Sequence, residues 1–185
     1  FISVAPEENL TEKGVRAGDE VDGIHFARNG CPSKGSIDIF IEPHLPTPDL
    51  LVFGDSPVAE KLKDLAPQFG WAVAAVPADT TLNARTPNRA RYLVIATQGQ
   101  GDLAALKTGL AEPVDYIAFV GSSKKFASLS EKLIAAGTTP AQIATIRSPA
   151  GLEIGAVTPV EIALSILAEL TQVKRDYAMK AAQNG

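Results

Sequence analysis

From about residue 50 onward, short apolar runs alternate with amphipathic stretches of helical period. This alternation is typical of a parallel sheet whose strands are joined by crossover helices. We therefore predict an α/β fold with a Rossmann-like parallel sheet and flanking helices. The predicted strands are 50–53, 71–76, 91–96 and 116–120, and the predicted helices are 58–69, 103–110, 124–136 and two more that begin after Thr139 and Thr158.

Two of these helices have a clear start signal. Thr139 and Thr158 are each followed by proline and, three residues on, by Gln142 or Glu161. A threonine N-cap, a proline at the first helical position and a returning polar side chain form a capping box. The last helix carries an apolar stripe, so it packs on the sheet or on a partner. Its stripe consists of Ile162, Ala163, Ile166, Leu167, Leu170 and Val173.

The beginning of the chain has a different pattern. Residues 1–35 are rich in turn formers and charges, which predicts loops with short strands. Isoleucines then alternate with polar residues across 36–42, the period of a half-buried strand. Three prolines follow and predict a stiff linker. We therefore expect a small β-containing amino-terminal segment, 1–46, and a Rossmann-like domain, 47–185. The alternating isoleucines are Ile37, Ile39 and Ile41, and the prolines are Pro43, Pro46 and Pro48.

Composition and charge restrict the classes of function that we expect. The 185 residues are 45% hydrophobic and 21% charged, which suits one sizeable core. The net charge is −4 and basic residues cluster tightly only at Lys124-Lys125 and Lys174-Arg175, so we expect no nucleic-acid partner. No apolar run approaches the roughly 18 residues of a membrane span, and the start lacks a signal-peptide pattern. We predict a cytoplasmic protein, although a start at Phe1 rather than methionine leaves room for upstream sequence.

The first strand-to-helix turn occupies the place of a dinucleotide-binding glycine motif. Gly54 matches the first glycine of that motif, whereas Ser56 and Ala59 replace the second and third. Asp55 adds a negative charge and Pro57 removes an amide donor, so an ordinary turn is the alternative to a phosphate site. Asp79, after the second predicted strand, is a candidate partner for a ribose hydroxyl, with an exposed loop aspartate as the alternative.

Three further loops are candidate binding elements. Small and polar residues after buried strands present amides to an anion, and long glycine-containing loops tend to carry binding residues. The alternative for the first loop is a plain glycine-rich loop with Asp102 in the first turn of the next helix, and for the second it is lysines that are merely solvated. The candidates are Thr97, Gln98, Gly99, Gln100, Gly101 and Asp102 in the first loop, Gly121, Ser122 and Lys124 in the second, and Gly151 and Gly155 in the third.

Cys31, the only cysteine, lies in a turn-rich segment next to Lys34, which would lower the pKa of an exposed thiol. A buried, inert cysteine is the alternative. One cysteine excludes an intrachain disulfide and fits a reducing compartment. The two histidines have no nearby cysteine, and no Ser–His–Asp arrangement is evident, so zinc and hydrolase functions receive little support.

Several of these segments together resemble the XdhC/CoxI accessory proteins of molybdenum hydroxylases. The resemblance is carried by the runs 96–102, 121–125 and 148–169, of which the last is the most specific, and upstream by 30–43. One departure is that the Gly-His-Gly-Asp common in this family appears as Gly-Gln-Gly-Asp at 99–102. The resemblance implies a Rossmann-like carboxyl-terminal domain.

The resemblance also implies a function. Such proteins bind molybdenum cofactor, protect it while its sulfido ligand is installed, and deliver it to an apo-hydroxylase such as xanthine or carbon monoxide dehydrogenase. The resemblance implies that the candidate loops hold molybdopterin or its dinucleotide form, with Cys31 as a thiolate contact to the bound cofactor. The implied partners are an apo molybdenum hydroxylase large subunit, a cysteine desulfurase and a second copy of the chain.

Two other functions compete with the carrier function. The first is a NAD(P)-binding Rossmann oxidoreductase, or a sulfur-transfer enzyme, that uses the same cleft. The second is a structural assembly factor whose last helix binds a hydrophobic partner. The carrier hypothesis predicts cofactor binding without turnover, the oxidoreductase predicts NAD(P) binding, and the assembly factor predicts neither.

Overall fold

The computed structural model of the protein describes residues 1–42, 46–77 and 80–183. Internal contacts group the chain into two compact units, Phe1–Leu45 and Pro46–Gly185. We call them the amino-terminal unit and the α/β unit.

The amino-terminal unit is a small mixed sheet with one short helix. Its described elements are β1 (Ile2–Ala5), α1 (Glu7–Glu12), β2 (Glu20–Val21), β3 (Ile24–Arg28) and β4 (Ile37–Ile39). The strands lie in the order β2-β3-β1-β4, with β1 parallel to β3 and the other two pairings antiparallel. Ala5 and Leu10 are buried apolar residues of this unit. The predicted β-containing segment is thereby confirmed.

Two sequence predictions for this unit were wrong. Residues 1–35 contain a helix, α1, which follows Pro6 and carries Glu7 and Glu8 in its first turn, where carboxylates favour a helix start. The predicted half-buried strand is only three residues long, and Ile37 and Ile39 in it are exposed. Their strand lies at the edge of the sheet, and period-2 alternation does not reveal whether a layer covers the apolar face.

The described part of the α/β unit contains five strands, β5 (Asp49–Phe53), β6 (Ala72–Val76), β7 (Arg91–Ile95), β8 (Tyr116–Phe119) and β9 (Ile146–Arg147). They are parallel and lie in the order β6-β5-β7-β8-β9, which confirms the predicted Rossmann-like sheet. The fifth strand, at residues 146–147, was not predicted from the sequence. The helices are α2 (Pro57–Leu65), continued by a 3-10 turn (Ala66–Phe69), α3 (Asp102–Ala111), α4 (Ser123–Ala135), α5 (Pro140–Ala144) and α6 (Pro159–Gln183).

Alternate residues of each central strand point to opposite faces, which gives the sheet two cores. Leu50 and Val52 pack with α2 and α6 on one face, whereas Phe53 packs with α3 and α4 on the other. The chain runs from β5 outward to β6 and then returns to β7 on the other side of β5. The point between β5 and β7 is therefore the topological switch point, where open α/β sheets bind ligands.

Capping hydrogen bonds confirm the two predicted helix starts. The Thr139 side chain accepts from the Gln142 amide, and the Gln142 side chain accepts from the Thr139 amide. At the start of α6, the Glu161 carboxylate accepts from the Thr158 amide at 2.8 Å. This last helix continues ten residues beyond Val173, the end of the apolar stripe seen in the sequence. Among the helices described, none is long and apolar enough to cross a membrane.

Candidate functional site

Two loops meet at the switch point, and Gly54 is the residue that lets them meet. Its φ of +94° is a left-handed conformation, and a Cβ placed there would lie 2.6 Å from Thr97 Cα and 2.8 Å from the Ala96 carbonyl oxygen. These are backbone atoms that cannot move aside. Gly54 is therefore required both by its own conformation and by close contact between the β5–α2 turn and the β7–α3 loop.

A cleft of about 400 Å³ opens beside this contact. It brings together residues from both loops and from the end of β6, as expected at the carboxyl edge of a parallel sheet. Five residues predicted from the sequence share this cleft, although they lie in two segments more than 40 positions apart. The lining residues are Gly54, Asp55, Ser56, Ala75, Val76, Pro77, Thr97, Gln98 and Gln100.

The two polar residues of the β5–α2 turn have different surroundings. Ser56 is the N-cap of α2, and its hydroxyl accepts a hydrogen bond from the Ala59 amide at 3.1 Å. Asp55 is exposed, and its carboxylate lies 3.5 Å from the Lys63 ammonium. The helix start is thus already capped, and the negative charge beside it has a cation nearby. Both features weaken this turn as a phosphate site relative to a glycine-rich one.

The β7–α3 loop folds around a buried carboxylate. Asp102 is 5% exposed and accepts hydrogen bonds from the Thr97 hydroxyl and, at 3.0 Å, from the Gly99 amide. Lys125 reaches it from α4, with 2.6 Å between Nζ and Oδ2. Burial raises the pKa of Asp102, but Lys125, Thr97 and Gly99 outweigh burial and hold that pKa below its usual value. The loop is therefore organised by an ionised aspartate.

Positive φ angles shape the same loop. Gln98, Gly99 and Gly101 have φ values of 51°, 98° and 86°. Glycine adopts this conformation at no cost, whereas Gln98 does so at some expense, and such strain often accompanies a functional site. The side chains of Gln98 and Gln100 are exposed and line the cleft. Each amide side chain offers both donors and an acceptor to a ligand.

The loop between β8 and α4 contributes a different lysine from the one expected. Ser122 caps α4 by accepting from the Lys125 amide at 3.3 Å, and Gly121 lies against the Phe119 ring. Lys124 is exposed and lines none of the clefts described here. Lys125 forms the ion pair with Asp102. The sequence alone does not show which of the two adjacent lysines contacts Asp102.

Glu169, a residue not identified from the sequence, holds the loop before α6. It is 2% exposed, and its carboxylate accepts from the Gly151 amide at 2.6 Å and from Arg147 Nε at 2.7 Å. Burial and then Glu169 raise the pKa of the neighbouring Tyr116. A signal was available: Glu169 falls on the apolar stripe of α6, and a carboxylate at a core position needs partners.

Two smaller clefts flank this loop. A cleft of about 280 Å³ is lined in part by Gly121 and Gly151, and one of about 270 Å³ by Ser56, Gln98 and apolar residues of the α6 start. Gly151 has a φ of +96°, and a Cβ there would collide with the Ser165 hydroxyl. The carboxyl edge therefore combines a polar cleft with apolar neighbours. The apolar residues of the second cleft are Pro57, Val58, Ala96, Val120, Val157, Pro159 and Ile162.

Gly155, Cys31 and Asp79 are the remaining sequence candidates. Gly155 is exposed and lines none of these clefts. Cys31 belongs to the amino-terminal unit, where it is exposed, and a hydrogen bond from the Ser33 hydroxyl lowers its pKa. Asp79 lies outside the described residues. Within the described ranges, no group of three or more His, Cys, Asp or Glu side chains is placed to hold a metal ion.

A parallel sheet with helices on both faces and a cleft at its switch point defines a Rossmann-like α/β protein. Residues 50–170 match the family described as the XdhC Rossmann domain, and the chain belongs to this family. YqeB of Escherichia coli strain K12, described as an uncharacterised protein, is 29% identical over 178 residues. That alignment covers 82% of this chain but 33% of YqeB, so the chain spans about a third of that relative's length.

A crystal structure described as a xanthine dehydrogenase from Bacillus halodurans has a similar fold. The TM-score is 0.59 at 24% identity, and the match covers 74% of this chain and 47% of that one. At this level of identity the likeness concerns the fold.

Proposed function

We propose that the α/β unit binds molybdenum cofactor at the carboxyl edge of its sheet, and that the protein is an accessory factor for a molybdenum hydroxylase. One observation carries the proposal: the cleft at the switch point gathers Gly54, Ser56, Thr97, Gln98 and Gln100. Membership of the XdhC family supports the accessory role, and the Bacillus halodurans neighbour described as a xanthine dehydrogenase supports the kind of partner.

The cleft residues fit the two polar parts of this cofactor. A pterin presents donors and acceptors along one edge, which the amides of Gln98 and Gln100 can match. A phosphate would meet backbone amides of the glycine-containing 97–102 loop at the same cleft, because Ser56 already caps α2 and Asp55 is negative at the Gly54 turn. The metal of this cofactor is carried by the sulfur atoms of the pterin, so the cleft can hold the group without supplying metal ligands.

The chain's own contribution is to hold and shield the group. Gly54 and the buried Asp102 fix the two loops, while Gln98 and Gln100 extend into the cleft. The apolar residues next to Ser56 would exclude water from one side of a bound ligand. The cofactor itself would supply the molybdenum centre that the recipient enzyme uses. This division of labour fits a carrier that performs no turnover.

Further parts of the accessory role are also proposals. Sulfuration would require a cysteine desulfurase as partner, and delivery would require an apo-hydroxylase large subunit. A second copy of the chain and a thiolate contact from Cys31 would each add to the site. The exposure of Cys31 and its lowered pKa support a reactive thiol.

A NAD(P)-binding oxidoreductase is the second candidate function. The cleft lies where dinucleotide folds bind a pyrophosphate, which favours this function. Against it, Ser56 already caps α2, Asp55 is negative, and Pro57 lacks an amide hydrogen. These features make the turn a poorer pyrophosphate site than a glycine-rich one, so we rank the carrier first.

Anaerobic titration tests the proposal. Purified protein is titrated with isolated molybdenum cofactor, and in parallel with NAD(H) and NADP(H), and binding is followed by fluorescence and gel filtration. We expect micromolar or tighter binding of the cofactor, about −8 kcal/mol. Binding of a nicotinamide nucleotide alone would contradict the carrier and favour the oxidoreductase.

A further inference from the structure

A second surface of the α/β unit lies on the other side of the β7–α3 loop. It is a groove of about 660 Å³ between α3 and α4. Its apolar residues, Leu103, Ala104 and Leu129, lie between lysines of both helices. The remaining lining residues are Gly99, Gly101, Asp102, Lys107, Lys125, Ser128 and Lys132. No part of the cofactor proposal uses the three lysines of this groove as ligand contacts.

The charge of the groove is opposite to that of the whole chain. The chain carries −4, yet three of the groove residues are lysines and one, Asp102, is acidic. Lys125 pairs with Asp102 at 2.6 Å. Neither Lys107 nor Lys132 forms a salt bridge with any residue that the structure describes. Two cations thus flank an apolar floor and are available to an acidic partner.

The placement of these two lysines favours an extended partner over a small anion. Lys107 lies on α3 and Lys132 on α4, and the apolar residues Leu103, Ala104 and Leu129 line the same groove. A small anion would contact the lysines and leave the apolar residues uncovered. An amphipathic helix can lie in the groove between two helices, with carboxylates beside the lysines and apolar residues on the floor.

We propose that the α3–α4 groove binds an acidic amphipathic helical segment of a partner protein. Carboxylates of that segment would lie beside Lys107 and Lys132, and its apolar residues would cover Leu103, Ala104 and Leu129. This inference does not depend on cofactor binding, because the groove and the cleft at the switch point have different lining residues apart from the shared loop.

The test measures binding of a fluorescent acidic amphipathic peptide about as long as α4. The test variant is Lys107→Glu/Lys132→Glu; Lys125 is left unchanged because it also holds Asp102. The matched control is Lys13→Glu/Lys61→Glu, which makes the same change in net charge at exposed positions outside the groove. A scrambled peptide of identical composition tests whether the apolar face matters, and circular dichroism confirms that each variant folds.

We expect the groove variant to weaken peptide binding by about tenfold or more, while the control variant stays close to the unchanged protein. The scrambled peptide should bind more weakly than the amphipathic peptide. Three results would overturn the proposal: no binding of the amphipathic peptide, equal binding by both variants, or displacement of the peptide by sodium pyrophosphate where sodium chloride of equal ionic strength has no effect. The last result would assign the groove to a small anion.

Discussion

The two edges of the parallel sheet are built in opposite ways. At the amino-terminal edge, Arg91 is 5% exposed and donates to the carbonyls of Asn83 and Ala84, while Asp115 accepts from the Arg91 amide at 2.7 Å. Arg85 pairs with the same carboxylate at 2.8 Å. At the carboxyl edge, exposed glutamines line an open cleft.

The difference between the two edges predicts which substitutions lower stability and which lower ligand affinity. The backbone amide, Nη1 and Nη2 of Arg91 at the amino-terminal edge all donate to groups of the protein itself, so changes there should lower stability and leave ligand affinity intact. At the carboxyl edge, buried Asp102 and Glu169 hold the loops, whereas Gln98 and Gln100 are exposed to solvent. The proposed ligand-binding side chains are therefore exposed, and buried side chains hold the loops that carry them. Substitutions of the exposed and of the buried residues should have different effects.

Gly54→Ala should have the largest effect. The added Cβ would meet backbone atoms at 2.6 and 2.8 Å in a left-handed conformation, so we expect a loss of about 3 to 5 kcal/mol in the free energy of unfolding. Urea denaturation measures it. Gly70→Ala is the control, because Gly70 has a φ of +73° but no atom within 4 Å of the added Cβ. It should cost about 1 to 2 kcal/mol; equal losses would show that close packing of the two loops does not matter.

Glu169→Ala comes next. It leaves the Gly151 amide without its acceptor and creates a cavity, so the free energy of unfolding should fall by about 2 to 4 kcal/mol. Glu169→Gln, which keeps an acceptor, should recover part of that loss. Glu131→Ala on the exposed face of α4 should change stability by less than about 0.5 kcal/mol. Equal stability of Glu169→Ala and Glu131→Ala would show that Glu169 does not hold the loop before α6.

Arg91→Lys tests the amino-terminal edge. Lysine cannot reproduce both hydrogen bonds to Asn83 and Ala84, so we expect a loss of about 1 to 3 kcal/mol in stability and unchanged cofactor affinity. Calorimetry and the titration above measure the two effects. Arg16→Lys, at an exposed site, is the control. A weaker cofactor affinity in the folded Arg91 variant would show that the amino-terminal edge also affects binding.

Asp102→Asn should change the pH dependence of stability. The folded-state pKa of Asp102 is lowered, so its charge contributes stability that is present above the unfolded-state pKa, near 4, and lost as pH falls through the lower folded-state value. The unchanged protein should therefore lose more stability than the variant below about pH 4. Denaturant unfolding at a series of pH values measures this, with Asp64→Asn as an exposed control. Parallel acid curves for the Asp102 variant and the unchanged protein would exclude this role.

Gln98→Ala/Gln100→Ala should have the smallest effect on stability and a clear effect on binding. Both side chains are exposed, so stability should change by less than about 0.5 kcal/mol at each site. Loss of their hydrogen bonds should weaken cofactor binding by about tenfold, equivalent to roughly 1.4 kcal/mol. Gln68→Ala/Gln172→Ala provides the same change at exposed positions outside the cleft. Unchanged affinity in the first double variant would place the ligand elsewhere.

The sequence predicted the α/β unit well because its signals are local. Short apolar runs and capping boxes each act within a few residues, and both are present in the structure. Helix α1 was missed because its six residues bury only Leu10, too little to produce a periodic pattern. Strand β9 was missed because two residues cannot show alternation.

The candidate site was predicted only in part, for a related reason. Loops that follow parallel strands share one edge, so the sequence could indicate Gly54 and the 97–102 loop without knowing the strand order. Side-chain pairing across elements is not local. The contact of Lys125 with Asp102, rather than of Lys124, and the bonds from Glu169 to Gly151 depend on how helices pack. Glu169 could have been suspected as a charge within an apolar stripe.

Hydrogen–deuterium exchange with and without isolated molybdenum cofactor, under anaerobic conditions, shows which edge of the sheet binds the cofactor. We expect slower exchange at 54–59 and 97–105, at the carboxyl edge, and no change at 83–91, at the amino-terminal edge. Slower exchange at 83–91, or none at the switch point despite measured binding, would rule out the proposed site.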